Sequence, residues 1–143
     1  MNFGQSGGPE RGLISSMDEL IDQAEGFIKF IEEKYEQKKP IYISGLSLGG
    51  AICFKLSIRN PEKYAGVIFL APALRENKEA QPFLKKLGKL MGTLFPKLKV
   101  IGQTFNSQSK FDQTERINAD PYIYKDKVVP GSIKVVLESM EQI

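Results

Sequence analysis

Apolar residues recur at Met17, Leu20, Ile21, Ala24, Ile28, Ile31 and Tyr35, three or four positions apart, with Asp22, Glu25, Lys29 and Glu32 outside that set. The spacing predicts an amphipathic helix with one apolar face. Ser16-Met17-Asp18-Glu19 opens it as a capping box, in which serine and glutamate reciprocally satisfy free backbone N–H groups. Gln37-Lys38-Lys39-Pro40 closes it, because proline drives the residue before it out of helical geometry. Ile41–Gly45 then reads as a buried strand, and a helix beginning after residue 47 runs to about Arg59 and stops at Asn60-Pro61. Gly66–Ala71 is a second apolar run without alternation, the pattern of a strand covered on both faces in a parallel sheet. Helix, strand, helix, strand predicts an α/β fold with a right-handed crossover between the strands.

The flanking segments read differently. Residues 1–14 are glycine-rich and predict a loop. Beyond Pro72 the chain turns more polar, and residues 75–128 carry no further strong strand. Within them Phe83, Leu84, Leu87, Leu90, Met91 and Leu94 form a stripe predicting a helix from about Pro82 to Leu94, with Lys85, Lys86 and Lys89 beside or opposite it. An ordinary amphipathic helix with a solvated basic face accounts for this pattern. A lid whose apolar side meets lipid while its lysines meet head groups accounts for it too. Gly131-Ser132 opens a last helix, Ile133–Met140, with Val136, Leu137 and Met140 as its expected contacts.

Composition bounds what this pattern can be. At 143 residues, 41% apolar and 26% charged, the chain makes at most one soluble globular domain. No apolar stretch approaches the roughly 18 residues of a membrane span, and no basic-then-apolar leader opens the chain. A cytoplasmic or membrane-peripheral location is expected. Cys53, the single cysteine, excludes an internal disulfide and reads as a small buried hydrophobe; with no histidine present, no metal and no cofactor is expected. Residues 1–40 carry 5 basic and 8 acidic groups, a balance of −3, whereas residues 75–99 carry 7 and 2, a balance of +5. The basic block suits an anionic membrane surface. No aromatic-interleaved basic motif accompanies it, so nucleic acid is not an expected partner.

The candidate chemistry lies between the first strand and the second helix. Gly45-Leu46-Ser47-Leu48-Gly49 fits G-x-S-x-G, in the strand–turn–helix setting that a nucleophile elbow requires. Such a turn strains the serine backbone and thrusts its hydroxyl clear of the sheet. Glycine is expected on both sides because a side chain there would strike the adjoining strand or helix. The plainer alternative is a glycine-rich turn carrying a surface serine. A serine without a base is a weak nucleophile, and this chain holds no histidine to act as one.

Around the elbow, Lys39-Pro40-Ile41-Tyr42-Ile43-Ser44-Gly45-Leu46-Ser47-Leu48-Gly49-Gly50-Ala51 closely resembles the monoacylglycerol lipase and lysophospholipase group of α/β-hydrolases, in the serine aminopeptidase-like branch. Arg59-Asn60-Pro61-Glu62-Lys63-Tyr64-Ala65-Gly66 and Leu70-Ala71-Pro72-Ala73-Leu74 resemble it too. Phe3-Gly4-Gln5-Ser6 with Arg11-Gly12-Leu13-Ile14 is similar to that group's glycine-rich loop. Leu94-Phe95-Pro96-Lys97-Leu98-Lys99 and Asn118-Ala119-Asp120-Pro121 are similar to stretches of its cap. The resemblance implies part of an α/β-hydrolase fold: parallel strands with flanking helices plus a helical cap. It divides the chain into a partial core over 1–74, a cap or lid over 75–128, and a helix returning to the core over 129–143.

Carried over residue by residue, the resemblance makes Ser47 the nucleophile and the backbone N–H of Leu48 an oxyanion-hole donor. It implies a lipid ester as substrate, with peripheral membrane contact through the cap. The family places a His-Gly loop before the region matched here, and its acid and histidine after the cap. The chain is therefore expected to be an interior fragment or truncated product, and Asp112, Asp120 and Asp126 are not nominated as the acid. Three functions remain open: a lipid ester hydrolase represented by part of its chain, a non-catalytic lipid- or partner-binding module that keeps the elbow as scaffold, and a peptidase or thioesterase using the same elbow, against which the cap pattern argues mildly.

Overall fold

The computed structural model describes residues 2–8, 10–35, 39–75, 82–99, 114–124 and 129–142. Asp112, Asp126 and the helix end expected at Gln37-Lys38 lie outside them, as do the side chains of Phe83 and Leu84. The elements run α1 (Met17–Tyr35), β1 (Tyr42–Leu46), α2 (Leu48–Arg59), β2 (Gly66–Leu70), α3 (Pro82–Leu94), α4 (Thr114–Ala119) and α5 (Pro130–Glu141). They fall into two compact units, Met1–Ile14 with Pro82–Lys134, and Ser15–Gln81 with Val135–Ile143.

The second of these units holds the sheet. Its two strands pair in parallel, Tyr42 opposite Gly66 and Leu46 opposite Leu70. Met17 and Ile21 of α1 meet Leu56 of α2 and Tyr64 in its core, with Ile43, Ile52 and Val135 packed against them. Phe54 of α2 tilts against Phe69 of β2 at 6.3 Å, so α2 covers the face carrying Ile43, Gly45, Val67 and Phe69. The opposite face, with Tyr42, Leu46, Ile68 and Leu70, remains open; Tyr42 is 67% and Leu46 65% exposed. This corrects the expectation of strands covered on both faces: among the described residues, the apolar run receives cover on one side.

Charge clasps α1 to α2. Arg59 reaches Asp22 at 2.5 Å and both Glu25 and Asp18 at 3.4 Å, while Asn60 Nδ2 donates to Glu25 at 2.6 Å. Lys63 pairs with Glu32 at 3.0 Å. At the start of α1 the capping box is half formed. The Glu19 N–H donates to Ser16 Oγ at 3.0 Å, but the Glu19 carboxylate accepts from Gln23 rather than turning back. Tyr35, expected on the apolar face, is exposed beneath Lys34.

The other unit is organised around Ser132. Its hydroxyl donates to Gly12 O at 2.9 Å and accepts from the Ile14 N–H at 2.8 Å, tying the amino-terminal loop to the start of α5. The loop is closed by Asn2, whose Nδ2 donates to Leu13 O at 2.8 Å. The start of α5 lies one turn earlier than Gly131-Ser132 suggested, and Gly131 N–H donates to Pro96 O at 3.1 Å. Helix α3 approaches α5 through its glycines. A Cβ on Gly92 would lie 2.7 Å from Lys134 Cβ and from Pro130 O.

Candidate active site

Ser47 occupies the single residue between β1 and α2, at φ 51° and ψ −115°. An L-residue reaches that region only under strain, of order 1–3 kcal/mol, and surrounding contacts must hold it there. Three backbone hydrogen bonds do so. The Ser47 N–H donates to Leu70 O at 3.0 Å; its carbonyl accepts from Ala51 N–H at 3.2 Å and Ala73 N–H at 2.9 Å. Two of the three come from the exit of β2, where Ala71 is itself at φ 42° ahead of Pro72. The elbow is thus hung on the neighbouring strand.

The glycines divide the steric work differently from the sequence expectation. A Cβ on Gly45 would strike the Gly49 carbonyl and lie 2.6 Å from Gly50 N, so the last strand turn passes directly over the first helical turn. Gly49, by contrast, would meet nothing within 4 Å among the described residues. The second close approach belongs to Gly50, whose Cβ would lie 2.6 Å from Pro72 Cβ and 2.9 Å from Pro72 Cα. The G-x-S-x-G pattern does not itself point to Gly50 or to the Leu70–Ala73 brace. Their signal was the proline two positions past a strand whose register no motif reveals.

Ser47 is exposed and makes no side-chain cap to α2. Leu48 is the first residue of α2, so its N–H belongs to the group that a helix leaves without an internal acceptor. No acidic residue stands in the first turn of α2, and the positive end of its dipole faces the elbow uncancelled. Serine, first-turn amide and helix pole together suit an attacking oxygen beside a developing negative charge. Of Asp112, Asp120 and Asp126, Asp120 lies among the described residues, and it accepts from Tyr122 N–H at 2.8 Å. Among the described residues no cluster of three His, Cys, Asp or Glu side chains could hold a metal. No helix there is long and apolar enough to cross a membrane. A groove of about 280 Å³ lies elsewhere, lined by Asp18, Ile21, Phe54, Ile58 and Arg59 among others. Cys53 is buried, and that burial pushes its thiol above the ordinary value.

A parallel strand, a strained serine and a helix entered through glycine define an α/β-hydrolase fold. The chain belongs to the family described as serine aminopeptidase, S33, whose sequence pattern matches residues 3–143. It is 28% identical over 126 residues to the monoglyceride lipase of Rattus norvegicus, spanning 86% of this chain and 41% of that protein. It is 24% identical over 143 residues to the monoacylglycerol lipase of Mycolicibacterium smegmatis, spanning 97% of this chain and 50% of that one. The crystal structure of Paleococcus ferrophilus monoacylglycerol lipase superposes with a TM-score of 0.67 at 24% identity, over 99% of this chain and 52% of that structure. The chain therefore spans about half the length of the relatives it matches.

Proposed function

We propose that this chain carries the nucleophile half of a lipid ester hydrolase, with Ser47 as the attacking residue and the Leu48 N–H as one oxyanion donor. The observation that carries the reading is the strained, exposed Ser47 held between β1 and α2 by the exit of β2. Ser47 Oγ adds to the ester carbonyl and gives its proton to a base; the alcohol leaves and water releases the acyl group. With no histidine among the 143 residues, the base comes from polypeptide outside them. The substrate class follows the matched relatives, which are named as monoacylglycerol and monoglyceride lipases. In this reading residues 75–128 serve as the cap.

The lack of histidine also favours a second reading, a binding module in which the elbow is scaffold only. Chemical rescue separates the two. The purified chain is treated with a serine-directed phosphonate, with and without added imidazole, and its mass is measured. The hydrolase reading expects slow labelling alone, acceleration by imidazole, and loss of the adduct in Ser47→Ala. An unlabelled chain at every imidazole concentration refutes it in favour of scaffold. Fast labelling without imidazole refutes the missing base.

A further inference from the structure

We propose that the backbone N–H of Ala73 aims and polarises the Leu48 N–H, a positioning role that rests on the reading of Leu48 as oxyanion donor to an attacking Ser47. Ser47 O and the Leu48 N–H belong to one peptide group. That group is planar and trans, so the two point in opposite directions and turn together. Whatever fixes the oxygen fixes the donor. A carbonyl oxygen offers two lone pairs, and Ser47 O accepts from two groups. Ala51 N–H, at 3.2 Å, makes the ordinary first bond of a helix. Ala73 N–H, at 2.9 Å, is the shorter and comes from outside the helix, so it holds the oxygen along a second direction. Hydrogen bonds in series also strengthen one another, and an amide whose carbonyl accepts twice donates more strongly through its own N–H.

The exit of β2 is shaped to present that donor. Leu46 and Leu70 are register partners, so Ser47 and Ala71 leave the sheet side by side, each at positive φ, 51° and 42°. Proline favours extended backbone in the residue before it, yet Ala71 stands in the left-handed region ahead of Pro72. Strain of that kind gathers at functional sites and persists where its surroundings hold it. Here Ser47 N–H holds Leu70 O on one side of Ala71, and Pro72 rests against Gly50 on the other. Pro72 has no N–H of its own. Its carbonyl accepts from Leu74 N–H at 2.9 Å, across a three-residue turn centred on Ala73. Ala73 N–H is thus the first donor beyond Ala71, and the turn holds it toward Ser47 O. Its methyl enters neither bond, so N–H and side chain can be tested apart.

The purified chain is treated with a fluorophosphonate at fixed imidazole, and the rate of adduct formation at Ser47 is followed by mass. Ala73→Gly keeps the N–H, removes the methyl, and is expected to label at the parent rate. Ala73→Pro removes the N–H and is expected to label about tenfold more slowly, a smaller loss than the roughly 10²–10³ of deleting an oxyanion donor outright. Where urea unfolding shows that the proline ring unsettles the fold, lactic acid incorporated in place of Ala73 decides. Its ester link exchanges the N–H for oxygen, adds no ring, and is expected to slow labelling equally. The phosphorus-31 resonance of the Ser47 adduct gives a reading that stability alone does not move. It is expected to shift in the ester and to keep the parent position in Ala73→Gly. A parent left unlabelled at every imidazole concentration removes the Ser47 reading, and the role of Ala73 with it. A parent that labels, beside an ester equally fast or slower with an unshifted resonance, overturns the role of Ala73 alone. So does Ala73→Gly slowed as much as the ester, which would assign the effect to packing of the methyl.

Discussion

The two glycines of the elbow pentapeptide are expected to respond to alanine in opposite directions. In Gly45→Ala the new methyl would overlap the Gly49 carbonyl and stand 2.6 Å from Gly50 N. Both obstacles are backbone in the first turn of α2, where Ala51 N–H is bonded to Ser47 O, so relief requires moving the helix start. Overpacking against a fixed neighbour costs about 1–3 kcal/mol, and rigid backbone places this site at the upper end. Gly49→Ala meets nothing within 4 Å, and alanine is the better helix former by up to about 1 kcal/mol. The variants should therefore differ by about 2–4 kcal/mol. Gly50→Ala should fall between them, since its obstacle is the Pro72 ring and Cα. Urea unfolding followed by circular dichroism reads the order directly. With a slope of about 1–3 kcal/mol per molar urea, the Gly45 and Gly49 midpoints should separate by about 1 M or more. Equal loss from both substitutions, or a harmless Gly45→Ala, would refute the steric argument.

Ser47→Gly should raise stability by about 1 kcal/mol, because glycine occupies φ 51° without the side-chain penalty; a melt no higher than the parent's would deny the strain. Ser132→Ala should lower stability by about 1–3 kcal/mol, since it strands the Ile14 N–H and Gly12 O that the hydroxyl serves; the thermal midpoint reports it. Burial raises Cys53 above its ordinary 9.0 and Tyr64 above its ordinary 10.0, so the unfolded chain ionises first. Stability should then be complete below about pH 9 and fall as pH climbs toward the folded-state values, with a shallower fall in Cys53→Ala. Tyr64→Phe should flatten the upper part of that fall, and at neutral pH cost little, because the Tyr64 hydroxyl is buried without a hydrogen-bond partner among the described residues.

Elements with a stop signal were legible. The second helix ends at Arg59 before Asn60-Pro61, and α3 runs from Pro82 to Leu94 as its apolar period requires. The elbow was legible because its residue types are dictated by one local turn. Cys53 was legible as well, a small side chain on the inner side of α2. Other features depend on partners that no local pattern encodes. An unbroken apolar run states that Ile68 and Leu70 favour burial, but not whether anything among these residues covers them, and they stand exposed. Helix α4, six residues long, carries too few turns to build a period. The contact of Gly50 with Pro72 joins positions 22 apart, and only the strand register creates it.

That register bears on how the proposed chemistry is divided. Ser47 is strained, yet the backbone bonds that hold it among the described residues come from α2, the end of β2 and the residues just after it: Leu70 O accepts its N–H, and Ala51 and Ala73 donate to its carbonyl. Pro72 pressed on Gly50 fixes where α2 starts, and with it the Leu48 N–H. Attack and the Leu48 share of charge stabilisation, on the reading proposed, are therefore prepared by a segment of some thirty residues. Proton transfer is the opposite case, because a chain without histidine has no side chain matched to take the serine proton near neutrality. Imidazole rescue is informative for this reason. It supplies the missing base to the proposed nucleophile, and a response at Ser47 requires that the elbow keep its geometry independently of its base.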